Sequence, residues 1–199
     1  MHEYSVSGHP REKIIFWVAF ISIALGPFLM DEVINAYTFV TGKTLSLTIA
    51  VSVVFTAIYF LFNKYLWKVK FFGKVFSFPN LSGTWVCKGS TLNSDGEIEF
   101  SWDGKVRIEQ TWDKVLITLI TDKSKSQSLS VVGGVCHVPT VGYKLSYSYA
   151  NVPSIDQVAL DRHEGFCQLT FSEDMTSAQG HYFNGQGRFT FGKMILNRE

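Results

Sequence analysis

Hydrophobic and polar positions divide this chain into two regimes. From Ile14 to Met30, and again from Leu45 to Phe62, every position is uncharged and neither run has a polar face. After Phe78-Pro79-Asn80 the pattern changes to alternation with a period of two. Uncharged runs of about 17 and 18 residues stand at the short end of what crosses a bilayer as a helix. The first run is too long for the apolar core of a signal peptide, and Asp31 and Glu32 occupy the place of a small-residue cleavage site. The pattern therefore predicts a cytoplasmic tail over 1–13, a transmembrane hairpin over 14–64 with helices at about 14–30 and 45–62, a juxtamembrane linker over 65–79 and a β-domain over 80–199.

Alternation and turn residues place strands at Gly83–Ser90, Lys105–Trp112, Lys114–Thr121, Gln127–Val135, Gly142–Ala150, His163–Ser172, Ala178–Asn184 and Arg188–Asn197. Glu97–Trp102 either extends the second strand or forms a separate hairpin arm, and the stretch 91–102 is not placed. No amphipathic helix separates the strands, so parallel units are disfavoured. The expected fold is a membrane-anchored all-β protein with a small, eight-stranded, antiparallel, lipocalin-like barrel. One face of the strands is mostly apolar, as in Val106, Ile108, Gln110 and Trp112 or Leu145, Tyr147 and Tyr149. The other carries Arg107, Glu109, Ser146, Ser148, Glu164 and Gln168, which suits solvent.

Lysine placement orients the hairpin. Arg11 and Lys13 precede the first run, and Lys64, Lys68, Lys70 and Lys74 follow the second, whereas the connecting loop holds Lys43 against Asp31 and Glu32. The positive-inside rule then puts both termini and the β-domain in the cytoplasm. Thr48, Ser52 and Thr56 recur every four residues in the second helix, and Ser22 and Gly26 repeat that spacing in the first. Small residues at this spacing let helices approach closely, within one hairpin or between protomers. Gly26-Pro27 is expected to kink or weaken the first helix.

Composition adds mainly exclusions. A net charge of +1 gives no basic field that demands polymeric nucleic acid. Three cysteines, Cys87, Cys136 and Cys167, lack metal-ligand spacing and suit a reduced compartment. Hydrolase, phosphate-loop and zinc-protease motifs are absent, which disfavours an enzyme and a cofactor.

Several residues carry candidate chemistry. Gly83-Thr84-Trp85 opens the first strand as in lipocalin-like barrels, with Trp85 either a plug at the closed end or part of a ligand floor with Gln110. Tyr147, Tyr149 and Asn151 put two phenols and an amide near a strand end, as base-stacking groups or as rim and core residues. Tyr182, Asn184 and Arg188 flank a glycine-rich turn, where Arg188 either grips a phosphate or stays a surface cation.

Taken in order, Leu81-Ser82-Gly83-Thr84-Trp85, Val106–Trp112 (VRIEQTW), Tyr149-Ala150-Asn151-Val152-Pro153, His163-Glu164-Gly165 and Gly180–Gly192 (GHYFNGQGRFTFG) follow two apolar helices. Over essentially the full chain this resembles the two-transmembrane, β-strand-rich effectors of CBASS anti-phage defence. The resemblance implies a cyclic dinucleotide messenger from a cognate cGAS/DncV-like nucleotidyltransferase, bound in the barrel. It further implies homo-oligomerisation and disruption of the bacterial inner membrane, ending in cell death. It is met by residue types that suit two bases and two phosphates: Tyr147, Tyr149, Asn151, Tyr182, Asn184, Arg188, Trp85 and Gln110. A membrane-tethered carrier of a lipid or small hydrophobe is the competing expectation, resting on the apolar inner face.

Overall fold

A computed structural model describes residues 1–43, 51–69, 78–152, 163–185 and 189–199. The chain divides into two compact units, residues 9–72 and a second unit that joins residues 1–8 to 73–199.

Among the described residues the helical unit contains α1 (Arg11–Thr41), α2 (Val51–Lys64) and a 3-10 turn at Leu66–Lys68. α1 alone among the described helices is long and apolar enough to cross a membrane. It exceeds the expected first helix: Asp31 and Glu32, assigned above to the connecting loop, lie within it, and it runs through Pro27 without ending there. Its stop is Gly42, whose left-handed backbone (φ 65°) lets its N–H reach the Thr38 carbonyl at 2.8 Å. The buried face of α1 is Ile14, Val18, Ser22 and Gly26, one residue per turn. A methyl group at Gly26 would meet Val51 Cγ2 of α2 at 3.9 Å. The small residues of α1 are therefore buried within the helical unit, Gly26 against α2. Ser52 and Thr56 behave differently: they lie exposed on α2, with the Thr56 hydroxyl donating to the Ser52 carbonyl at 2.7 Å. Thr48 lies outside the described residues.

The second unit is one sheet of nine strands: β1 (His2–Val6), β2 (Gly83–Leu92), β3 (Ile98–Gln110), β4 (Lys114–Thr121), β5 (Gln127–Val138), β6 (Gly142–Val152), β7 (His163–Phe171), β8 (Ser177–Asn184) and β9 (Phe191–Arg198). Strands β2 to β9 pair antiparallel with their sequence neighbours, β9 returns to β2, and the sheet closes as a barrel. Closure leaves no long edge unpaired.

Two expectations are corrected here. The strand count among the described residues is nine, because residues 2–6, read as tail, enter the sheet between β4 and β5. The unplaced stretch 91–102 completes a long hairpin in which Gly83–Leu92 pairs with Ile98–Ile108, so Glu97–Trp102 mostly extends the second strand. The inner face follows the alternation: Trp85, Val106, Leu145, Leu169, Phe171 and Leu196 are fully buried.

Candidate functional site

Alternation carries side chains of β2 to β9 into the barrel, and at one place they leave a cavity of about 440 Å³, a volume typical of small-molecule sites. Its apolar lining includes Ile117, Leu119, Cys167, Met194 and the ring of Tyr147. Around this lie three polar groupings. In the first, Asn151 Nδ2 donates to Ser126 Oγ at 2.8 Å and to Ser128 Oγ at 2.9 Å. In the second, the Tyr149 hydroxyl donates to Asn184 Oδ1 at 2.7 Å, and Asn184 Nδ2 donates to Thr190 Oγ1 at 2.6 Å. In the third, Trp102 Nε1 donates to the Tyr182 hydroxyl at 3.2 Å, which lies 2.8 Å from Thr91 Oγ1. Asp103, Lys123 and Ser124 also line the cavity, with both charged residues exposed, and His163 lines it while buried.

The rings are positioned by glycines. Trp102 stands directly across from Gly89, Tyr149 from Gly165 and Tyr182 from Gly192. A methyl at Gly89 would overlap the Trp102 ring, and one at Gly165 would overlap the Tyr149 ring. At Gly192 it would come within 2.8 Å of Tyr182 and overlap the Ser90 carbonyl. Each missing Cβ lets an aromatic ring lie over the partner strand's backbone, a cross-strand pairing that replaces the packing the glycine lacks.

Burial suppresses ionisation of the phenol and thiols at the barrel's centre. Burial, with the Cys167 thiol and Tyr149 beside it, pushes the Tyr147 phenol well above its ordinary value. Burial also pushes the thiols of Cys167 and Cys87 up to about 12. At neutral pH these groups hydrogen-bond and pack without charge. The described residues hold no cluster of three His, Cys, Asp or Glu placed to bind a metal.

Five of the expected binding residues therefore converge on the cavity: Tyr147, Tyr149, Asn151, Tyr182 and Asn184. Trp85 and Gln110 do not line it. Trp85 is wholly buried, donates Nε1–H to the Leu81 carbonyl at 3.2 Å and packs edge-on against Phe171, under the Arg198 guanidinium, as a plug. Gln110 is consumed by Leu81, Pro79 and Tyr4. Arg188 lies outside the described residues. Thr91, Trp102, Ser126, Ser128 and Thr190 were missed. The alternation held the signal for Ser128, which shares a strand face with Ser130, whereas Ser126 precedes that strand, and Trp102 and Thr91 became legible only once the hairpin was placed.

A cavity of aromatic rings, hydroxyls and amides, in a chain that also carries an apolar helical unit, gives the chain's relationships a physical setting. A family model described as "Cap15, cyclic dinucleotide receptor domain" matches residues 76–198, and one described as "Cap15, TM helices" matches residues 12–68. This chain belongs to the Cap15 family. A relative, CD-NTase-associated protein 15 of Yersinia aleksiciae, is 37% identical, with 99% of this chain and 97% of that protein covered. As a Cap15 chain it is a CBASS effector with a cyclic dinucleotide receptor domain and a membrane segment. The receptor match contains the whole described lining of the cavity.

Proposed function

We propose that the barrel cavity is the cyclic dinucleotide site, and that its occupancy drives hairpins of several copies to assemble and breach the inner membrane. The observation that carries this reading is the cavity lining. Flat rings at Tyr149, Tyr182 and Trp102 suit base stacking. Asn151, Asn184 and the serine hydroxyls suit base edges, ribose and phosphate oxygens, with Lys123 as a cation at the rim. The amides and hydroxyls among the lining favour a ligand with hydrogen-bonding groups over an acyl chain, which cannot use them. Arg188, which follows Asn184 in the sequence by four residues, remains the proposed phosphate clamp.

In this reading both apolar runs cross the membrane, and both termini face the cytoplasm, where a soluble messenger from a cognate nucleotidyltransferase is made. The word CD-NTase in the relative's name supports such a source. The exposed small-residue line at Ser52 and Thr56 is the proposed contact between copies, since Ser22 and Gly26 are already buried within the helical unit.

The test uses the full-length chain in detergent micelles, because residues 2–6 are part of the sheet. A panel of cyclic di- and trinucleotides is scanned by thermal shift. A binding member at 100 times its dissociation constant stabilises the fold by about 2.7 kcal/mol. Asn151→Ala and Tyr149→Ala abolish that shift. No shift with any member of the panel refutes the receptor reading, and co-purified lipid in native mass spectra replaces it with the carrier.

A further inference from the structure

Residues 2–6 lie outside both matched ranges, yet they complete the sheet. β4 and β5 pair directly only between Thr118–Ile120 and Gln127–Leu129. Beyond that, an irregularity at Ser130/Val132 interrupts β5, and such bulges bend a strand. β1 fills the resulting cleft. It runs antiparallel to β4 at His2 and Glu3, and parallel to β5 from Tyr4 to Val6. Tyr4 and Val6 are buried while Glu3 and Ser5 are exposed. This is the geometry of strand addition, in which main-chain bonds hold a peptide and alternate side chains enter pockets.

The two strands that hold β1 also wall the cavity, through Ile117 and Leu119 on β4 and Ser128 on β5, with Ser126 immediately before β5. Ser130 joins the two features. Its Oγ accepts the Ile117 N–H at 2.9 Å and lies 2.8 Å from His2 Nε2. Gln110 adds a second fastening. Its Nε2 donates to the Tyr4 hydroxyl at 2.8 Å and to the Pro79 carbonyl at 3.1 Å, and its Oε1 accepts the Leu81 N–H at 2.8 Å. One buried amide thus ties together the segments that precede and follow the helical unit in the chain.

We propose that the β4–β5 cleft is a binding site for an extended peptide carrying an aromatic and a β-branched residue two positions apart. Its occupant is the chain's own N-terminal segment, and docking there and ligand binding in the cavity favour each other. The coupling rests on the cavity reading above. Docked β1 fixes the β4–β5 wall, so a ligand that uses Ser126 and Ser128 meets an ordered site. Linkage makes the effect reciprocal, and the occupied cavity holds β1 more tightly. Residues 7–10 then lead directly into α1, so the strand is also the N-terminal attachment of the helical unit.

Hydrogen–deuterium exchange on the full-length chain in micelles, with and without the cyclic dinucleotide panel, tests this. Tyr4→Ala raises exchange across β4 and β5 and weakens the best-bound cyclic dinucleotide at least fivefold, the lower end of ordinary coupling. His2→Ala moves both readouts in the same direction by less. An excess of synthetic peptide of residues 1–8 restores Tyr4→Ala toward wild type, and ligand slows exchange of residues 2–7 in the wild type. Should Tyr4→Ala fail to fold, His2→Ala carries the test. Unchanged exchange of β4 and β5 in the variants overturns the docking site. Unchanged affinity with a wild type that binds overturns the coupling. A wild type that binds nothing refutes the cavity reading and the coupling together, while exchange still decides the docking site.

Discussion

Gly89→Ala probes how the cavity rings are held. Gly89 is buried directly across from Trp102, and a methyl group there overlaps the indole; the three nearest atoms all belong to that ring. Trp102 is only half-buried, so it swings away instead of forcing the backbone apart. The loss is then its bond to the Tyr182 hydroxyl at 3.2 Å and its edge-on contact with the Tyr182 ring at 5.8 Å. A neutral hydrogen bond contributes about 0.5–1.5 kcal/mol, and an aromatic pair about as much. The expected destabilisation is about 1–3 kcal/mol, or a melting temperature lower by about 2–12 °C for a chain of this size. In a Trp102→Ala background the obstacle is gone, and alanine at 89 becomes neutral or stabilising by up to about 1 kcal/mol, because glycine in a strand costs backbone entropy. Thermal scans of the four proteins of this double-mutant cycle measure the difference. Equal destabilisation by Gly89→Ala in both backgrounds refutes the idea that the glycine exists to seat the ring.

Gln110→Leu strands the Leu81 N–H and takes a donor from the Pro79 carbonyl and from the Tyr4 hydroxyl, which keeps its bond to the Thr111 carbonyl, and is expected to cost about 1–3 kcal/mol, read as a fall in melting temperature. Cys87 and Cys167 are buried and Cys136 is partly exposed, so maleimide labels Cys136 first in the native chain. The two buried thiols ionise near 9 when unfolded and near 12 when folded. Their contribution to stability is therefore intact below pH 9 and is lost as pH rises from 9 to 12, at up to about 1.4 kcal/mol per pH unit for each thiol, and alkaline melts of the Cys87→Ala and Cys167→Ala variants show a shallower decline. Ser22→Leu overpacks the buried face of α1 and destabilises the helical unit by about 1–3 kcal/mol, whereas Thr56→Leu on the exposed face changes it by less than about 0.5 kcal/mol; melting followed by helical circular dichroism separates them.

Local pattern made much of this molecule legible. The uncharged run at 14–30 marked α1, and alternation marked eight strands with their inner faces, because both signals are written into successive side chains. It also nominated Tyr147, Tyr149, Asn151, Tyr182 and Asn184, which alternation sends inward from β6 and β8. β1 escaped because a five-residue strand with Tyr4 and Val6 as its only buried positions resembles any short tail. Its place depends on a cleft formed by residues more than a hundred positions later. Trp85 and Gln110 have the residue types of a binding floor, and only their partners assign them to plug and clamp.

The sequence by itself determined the division into an apolar helical region and an alternating β-domain, the inward face of the eight strands after the helices, and a supply of aromatic and amide groups fit for a nucleotide. Tertiary structure alone decided where those groups meet. Register set each ring against a glycine, opened the cavity beside Asn151 and Tyr182, and drew the first residues of the chain between β4 and β5. Side-chain periodicity is local, whereas cavities and strand closure arise from pairings between residues far apart in the chain, which no single segment encodes.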